Sequence, residues 1–119
     1  MSDMRAFVTG SYSYGTPGPD SDIDLVVFVT ERDLNRLKNA VINKGPGADW
    51  KEAAADPDYI AAGVYPLRFG PLNLLCVTDE KRYEIWRRGT RKLKTQAPVS
   101  RAFAVEFMKR LRQEEGYAV

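Results

Sequence analysis

Histidine does not occur in this 119-residue chain, and its absence removes several chemistries at once. His-based general acid–base catalysis, a Ser-His-Asp triad and a His-ligated zinc are all excluded. A metal held by these residues has to be held by oxygen, which selects hard divalent cations. Cysteine is nearly absent too. The single thiol, Cys76, sits in an apolar run, so a disulfide framework is excluded and a buried, inert thiol is expected. Apolar runs never approach the roughly 20 residues that cross a bilayer. No cleavage-type sequence follows Met1-Ser-Asp-Met-Arg, so neither a secretory leader nor a membrane span is expected, and the reading is a cytoplasmic protein.

The composition, 44% apolar and 29% charged, is that of an ordinary globular protein. The length suits a single domain over residues 1–119. A net charge of +2 hides an asymmetry. Acids dominate Asp20 to Asp24, whereas Lys81, Arg82, Arg87, Arg88, Arg91, Lys92 and Lys94 face only Glu84 within their stretch. Such a strip can attract phosphate or simply solvate one helix face. A charge run carries no specificity of its own, and the solvated face is the preferred reading.

Along the chain, Arg5 to Thr9 reads as a strand and Gly10 to Ser21 as a turn-rich loop with three glycines and two prolines. Ile23 to Val29 is a β-branched run suited to a buried central strand. A helix over Glu31 to Asn43 follows, with Leu34, Leu37 and Val41 on one stripe, Thr30 as cap and Gly45-Pro46-Gly47 as stop. A short helix is expected at Trp50 to Ala55, ending before Pro57. Val64–Phe69 and Leu72–Val77 flank Gly70-Pro71 as a hairpin, and Pro66 marks the first of them as an edge strand. Two helices close the pattern. Tyr83, Trp86, Thr90 and Leu93 share a face of the first, and Trp86 reads as core. Phe103, Ala104, Phe107, Met108 and Leu111 share a face of the second, which Pro98 and Ser100 introduce. The expected class is α/β in the broad sense (α+β): a mixed sheet with helices packed on it rather than a regular βαβ array.

The chemistry lies in Gly10-Ser11-Tyr-Ser-Tyr-Gly15-Thr-Pro-Gly-Pro-Asp-Ser21-Asp22-Ile-Asp24. Residues two apart in a strand point to one face, so Asp22 and Asp24 project together ahead of an apolar continuation. Paired carboxylates repel unless a cation lies between them or one stays protonated. With no histidine, a divalent cation with oxygen ligands is the natural counter-charge. Upstream, Gly10 permits close backbone approach, and backbone N–H groups with the Ser11 hydroxyl can hold phosphate oxygens. Tyr12 and Tyr14 are open to two roles, stacking on a base or packing as a lid. Gly15 to Gly18 is no dinucleotide fingerprint, because no helix follows it in a βαβ unit.

This stretch resembles the signature of the polymerase β-like nucleotidyltransferase superfamily: Gly-Ser, a short loop with a glycine, then Ser-Asp-x-Asp entering an apolar strand. Tyr14-Gly15-Thr16 is similar to a bacterial and phage branch of it. The resemblance implies a nucleotidyltransferase fold and a two-metal site of Mg²⁺ or Mn²⁺. Gly10, Ser11, Gly15 and Ser21 would serve the nucleotide, while Asp22 and Asp24 would hold metal. It further implies transfer of a nucleoside monophosphate from a triphosphate such as ATP to an acceptor that the motif does not specify: protein, small molecule or nucleic acid. The superfamily also contains minimal members paired with a helical toxin. The residues before Gly10 read as a strand rather than the helix those members place there, which weakens that role.

The departure is the third carboxylate. The family sets it in an apolar-acid-apolar pattern on a later strand, and the best counterpart is Leu72-Asn73-Leu74. Asn73 is therefore the third candidate catalytic residue, either facing the metal or bridging backbone groups as a structural amide. It accepts no proton at neutral pH. A catalytically weak or inactive metal–nucleotide module, acting through a protein partner, is the alternative reading. Asp79 lies in Thr78-Asp79-Glu80 and reads as a helix cap instead.

Overall fold

The computed structural model describes residues 5–42 and 63–117. In chain order these form β1 (Arg5–Thr9), α1 (Ser11–Tyr14), β2 (Ile23–Phe28), α2 (Glu31–Ile42), β3 (Tyr65–Phe69), β4 (Leu72–Val77), α3 (Glu80–Thr95) and α4 (Arg101–Glu114). The strands make one sheet in the order β1-β2-β4-β3. β2 lies antiparallel to β1 and parallel to β4, and β3 returns antiparallel on β4. This is the mixed α+β architecture expected from the sequence.

The two faces of the sheet explain the apolar runs. Val26 and Val27 point to opposite faces and are both buried, because helices cover each side. On one face α2 sets Leu34 and Leu37 against Val27, Leu67 and Cys76. On the other, Tyr83 and Trp86 of α3 pack on Val26, Leu75 and Val77, with Phe7 and Phe28 beside them. A third cluster, Leu93 with Ala104 and Met108, joins α3 to α4 and also receives Tyr14. Full burial of such side chains stabilises by about 1.5–3 kcal/mol each. Those around Val26 and Leu75 therefore fix the register that positions the polar end of the sheet.

Helix ends follow their capping chemistry. Thr30 Oγ1 accepts from the Asp33 N–H, Asp79 from Lys81 and Ser100 from Phe103. β3, with Pro66, is an edge strand as expected. Cys76 is buried and is in no disulfide among the described residues.

Two expectations change. The loop after β1 is not irregular throughout: Ser11–Tyr14 closes one helical turn, with the N–H groups of Ser13 and Tyr14 donating to the Gly10 carbonyl. Phe103 is 49% exposed instead of core. The packed stripe of α4 is narrow, centred on Ala104 and Met108, and the Phe103 ring stacks on the neighbouring Phe107 ring at 6.3 Å. The expected helix at Trp50 to Ala55 lies outside the described residues.

Candidate functional site at the polar end of the sheet

Sheet register places four polar side chains in one row. Thr9 on β1 pairs with Asp24 on β2, Asp24 with Asn73 on β4, and Asn73 with Arg68 on β3. Residues directly opposite across a sheet share a face, and here it is the face that α3 covers. Deeper in the same strands the row's counterparts are Phe7, Val26, Leu75 and Pro66. The site is thus the rim where an apolar core turns polar.

Each member of the row is held. Thr9 is 3% exposed, and its hydroxyl meets that of Thr90 on α3 at 2.9 Å. The Asn73 amide donates to Asp24 Oδ1 at 3.3 Å. Asp22, the residue immediately before β2, accepts from Arg68 Nη2 at 2.9 Å, while Arg68 Nε donates to the Gly70 carbonyl at 3.2 Å. Gly10 has φ +72° and lies directly against Asp24, such that a Cβ there would overlap Oδ2. Only glycine combines that backbone conformation with that approach. A bulkier residue at position 10 would strain the turn and displace the carboxylate.

The electrostatics are unequal. Burial pushes the Asp24 carboxyl above the ordinary carboxylate range, and the Asp22 charge pushes the same way. The Asn73 hydrogen bond and the charges of Arg101 and Arg68 oppose that shift without cancelling it. Asp24 is a half-buried carboxylate whose charge is under-compensated, which is the environment a hard cation relieves. Two carboxylates and an amide are the oxygen donors here. Among the described residues, no cluster of three or more His, Cys, Asp or Glu side chains exists.

Of the remaining sequence candidates, Gly15 seals the turn. A Cβ there would come within 2.9 Å of Ser11 Cα, and its N–H donates to the Ser11 carbonyl. Ser21 Oγ accepts from the Gly18 N–H at 2.7 Å, tying the loop that leads into Asp22. Tyr14 packs into the α3–α4 cluster, and its carbonyl accepts from the Val99 N–H. Tyr12 is 47% exposed. A cavity of about 830 Å³ opens away from the acids, between the β1 edge and α3, lined in part by Tyr12, Ser13, Arg87, Arg91 and Lys94. None of Asp22, Asp24 or Asn73 lines it.

Arg68 and Arg101 escaped the sequence reading. The signal for Arg68 was present: a tight hairpin at Gly70-Pro71 pairs Phe69 with Leu72, which forces Arg68 opposite Asn73. Arg101 carried no such signal, because its place depends on where α4 docks.

Comparison with known families gives one match. The sequence model described as a nucleotidyltransferase domain matches residues 2–70, a span that holds Gly10, Asp22, Asp24 and Arg68 and stops before Asn73. No curated protein matches the chain, and no solved structure does. With more than half of its length matched, including the strand–turn–strand unit that presents both aspartates, the chain belongs to the nucleotidyltransferase domain family.

Proposed function

We propose that the protein binds a nucleoside triphosphate together with Mg²⁺ or Mn²⁺ at Asp22 and Asp24 and transfers the nucleoside monophosphate to an acceptor hydroxyl. The observation that carries this reading is the under-compensated Asp24 carboxylate, set beside Asp22 and against the bare backbone of Gly10. The acids would hold the cation, which supplies charge stabilisation on the attacking and leaving oxygens. Gly10, lacking a side chain, leaves room for phosphate next to Asp24. Ser11 opens the turn and offers a hydroxyl, and Gly15 keeps that turn closed. Ser21 acts through the loop, fixing where Asp22 enters the strand. Asn73 orients Asp24 by its amide.

A second reading is favoured by one observation. The residue beside Asp24 on β4 is an amide, so a proton acceptor is missing where a third acid would stand. General-base assistance is worth roughly 10²–10⁴-fold. On this reading the protein retains metal–nucleotide binding and turns over slowly or not at all.

Calorimetry separates these proposals from their failure. The wild type is expected to bind Mn²⁺ with a non-hydrolysable triphosphate, and Asp22→Asn or Asp24→Asn should weaken that binding at least tenfold. Because the Asp24 carboxyl is raised, protons compete with the cation early. Affinity should start to fall on acidification while ordinary carboxylates are still ionised. Equal metal affinity in wild type and both variants would sink the assignment. Consumption of labelled triphosphate then distinguishes transferase from binding module.

A further inference from the structure

The row of side chains contains a cation of its own, Arg68, and α4 brings the charge of a second, Arg101, to bear on it. Arg68 reaches Asp22 from the edge strand, and both Arg68 and Arg101 act on Asp24. Asp22 is already paired with Arg68, so a free divalent cation approaching the bare site has to displace that guanidinium before it can use both carboxylates. Building on the metal-binding reading of Asp22 and Asp24, we infer that Arg68 is a resident counter-ion that competes with the metal for Asp22 and passes to the nucleotide's phosphates when metal and nucleotide arrive together.

The attachment of Arg68 is suited to this exchange. Its Nε is fixed to the Gly70 carbonyl at 3.2 Å, at the turn between β3 and β4, and only Nη2 holds Asp22, at 2.9 Å. Losing Asp22 therefore leaves the guanidinium tethered beside the site. Its terminal N–H groups are then free for an anion, and a guanidinium fork matches phosphate oxygens in geometry. The pair is accessible to solvent, with side chains 49% and 33% exposed, so it can be broken without opening the core. A triphosphate brings several negative charges and draws Arg68 away from Asp22. That frees Asp22 for the cation, and the cation in turn favours the phosphates. Metal and nucleotide are thereby coupled, each raising the affinity of the other.

Titration of Mn²⁺, followed by electron paramagnetic resonance with and without a non-hydrolysable triphosphate, tests the exchange independently of any turnover. Arg68→Gln should bind Mn²⁺ alone about two- to fivefold more tightly than wild type, the worth of a surface ion pair. It should also bind the Mn²⁺–nucleotide pair more weakly, so the coupling shrinks. A gain in one affinity with a loss in the other is not what general loosening of the fold produces. Asp22→Asn supplies the converse: with Arg68 released, metal-free triphosphate should bind more tightly than to wild type. Unchanged Mn²⁺ affinity in Arg68→Gln, or no gain of metal-free nucleotide in Asp22→Asn, overturns the counter-ion role. If Asp24→Asn still binds Mn²⁺ like wild type, the cation is elsewhere and the metal-binding reading itself falls. Loss of Mn²⁺ in Asp24→Asn with no change in Arg68→Gln removes Arg68 alone.

Discussion

At the scale of the residue, Asn73 decides what the site can do. Its amide donates to Asp24, supporting the ionised carboxylate against burial. A carboxylate in its place would meet Asp24 within hydrogen-bond distance and repel it unless a cation intervened. Asn73→Asp is therefore expected to lose on the order of 1–3 kcal/mol of stability without metal, as when a buried acceptor loses its donor. Mg²⁺ should restore that stability, and turnover should rise by roughly 10²-fold or more, within the range of general-base catalysis. Thermal melting with and without Mg²⁺, paired with labelled triphosphate consumption, reads both effects. Unfolding that metal does not correct would make the amide a structural element of the sheet. Asp24 adds a pH signature. Its pKa is raised in the folded protein above its ordinary 3.8, so the folded state takes up a proton more readily than the unfolded chain. Ionised Asp24 costs stability at neutral pH. That cost is relieved as pH falls from the raised value through 3.8, a trend opposite to that of an acid held in a strong ion pair.

At the scale of the element, the site depends on how β1 is fastened to α3. The Thr9 and Thr90 hydroxyls satisfy each other in a dry contact, 3% and 5% exposed. Thr90→Val should cost about 1–3 kcal/mol in urea unfolding, because the Thr9 hydroxyl is left buried without a partner. Removing both hydroxyls in Thr9→Val/Thr90→Val should recover most of that loss; a double variant no better than the single would show that packing rather than hydrogen bonding joins the elements. Sequence periodicity had already placed Thr90 on the buried face of its helix with Tyr83 and Leu93, and all three are buried. The hairpin, the edge character given by Pro66, the caps and the central strand were equally legible, since each rests on local backbone chemistry. Phe103 was not, because exposure depends on what else α4 packs against. The single turn at Ser11–Tyr14 was hidden by the flanking glycines and prolines, which suggest loop. As for the site, the acids and glycines were visible as a motif, and Asn73 was singled out through the family resemblance, as the counterpart of its third acid. The arginines that offset those acids come from β3 and α4, and their convergence is tertiary.

At the scale of the whole molecule, the question is what the basic strip is for. On α3, Arg82 pairs with Asp79, Arg87 with Glu84, and Lys81 and Arg88 with Glu115 beyond the end of α4. Tyr117 adds a hydroxyl bond to Asp79 and a face for Arg82 at 4.1 Å. The strip thus clamps the two helices together, and most of its charge is answered within the chain. Among the described residues, Arg91, Lys92 and Lys94 are the members of the strip with no ion-pair partner, and two of them line the cavity beside β1. Each phosphate neutralised on a single strand contributes a slope of about −0.7 to log K against log salt. Three free cations therefore allow a slope no steeper than about −2. Fluorescence anisotropy with a labelled single-stranded oligonucleotide is expected to show weak binding, nearly lost at physiological salt, with a slope inside that limit. A slope of about −4 or steeper would need more cations than the strip leaves unpaired, as when its paired arginines leave Glu84 and Glu115 for phosphate. The strip would then be a nucleic-acid surface that opens its own ion pairs, and the clamp between α3 and α4 would have to loosen on binding.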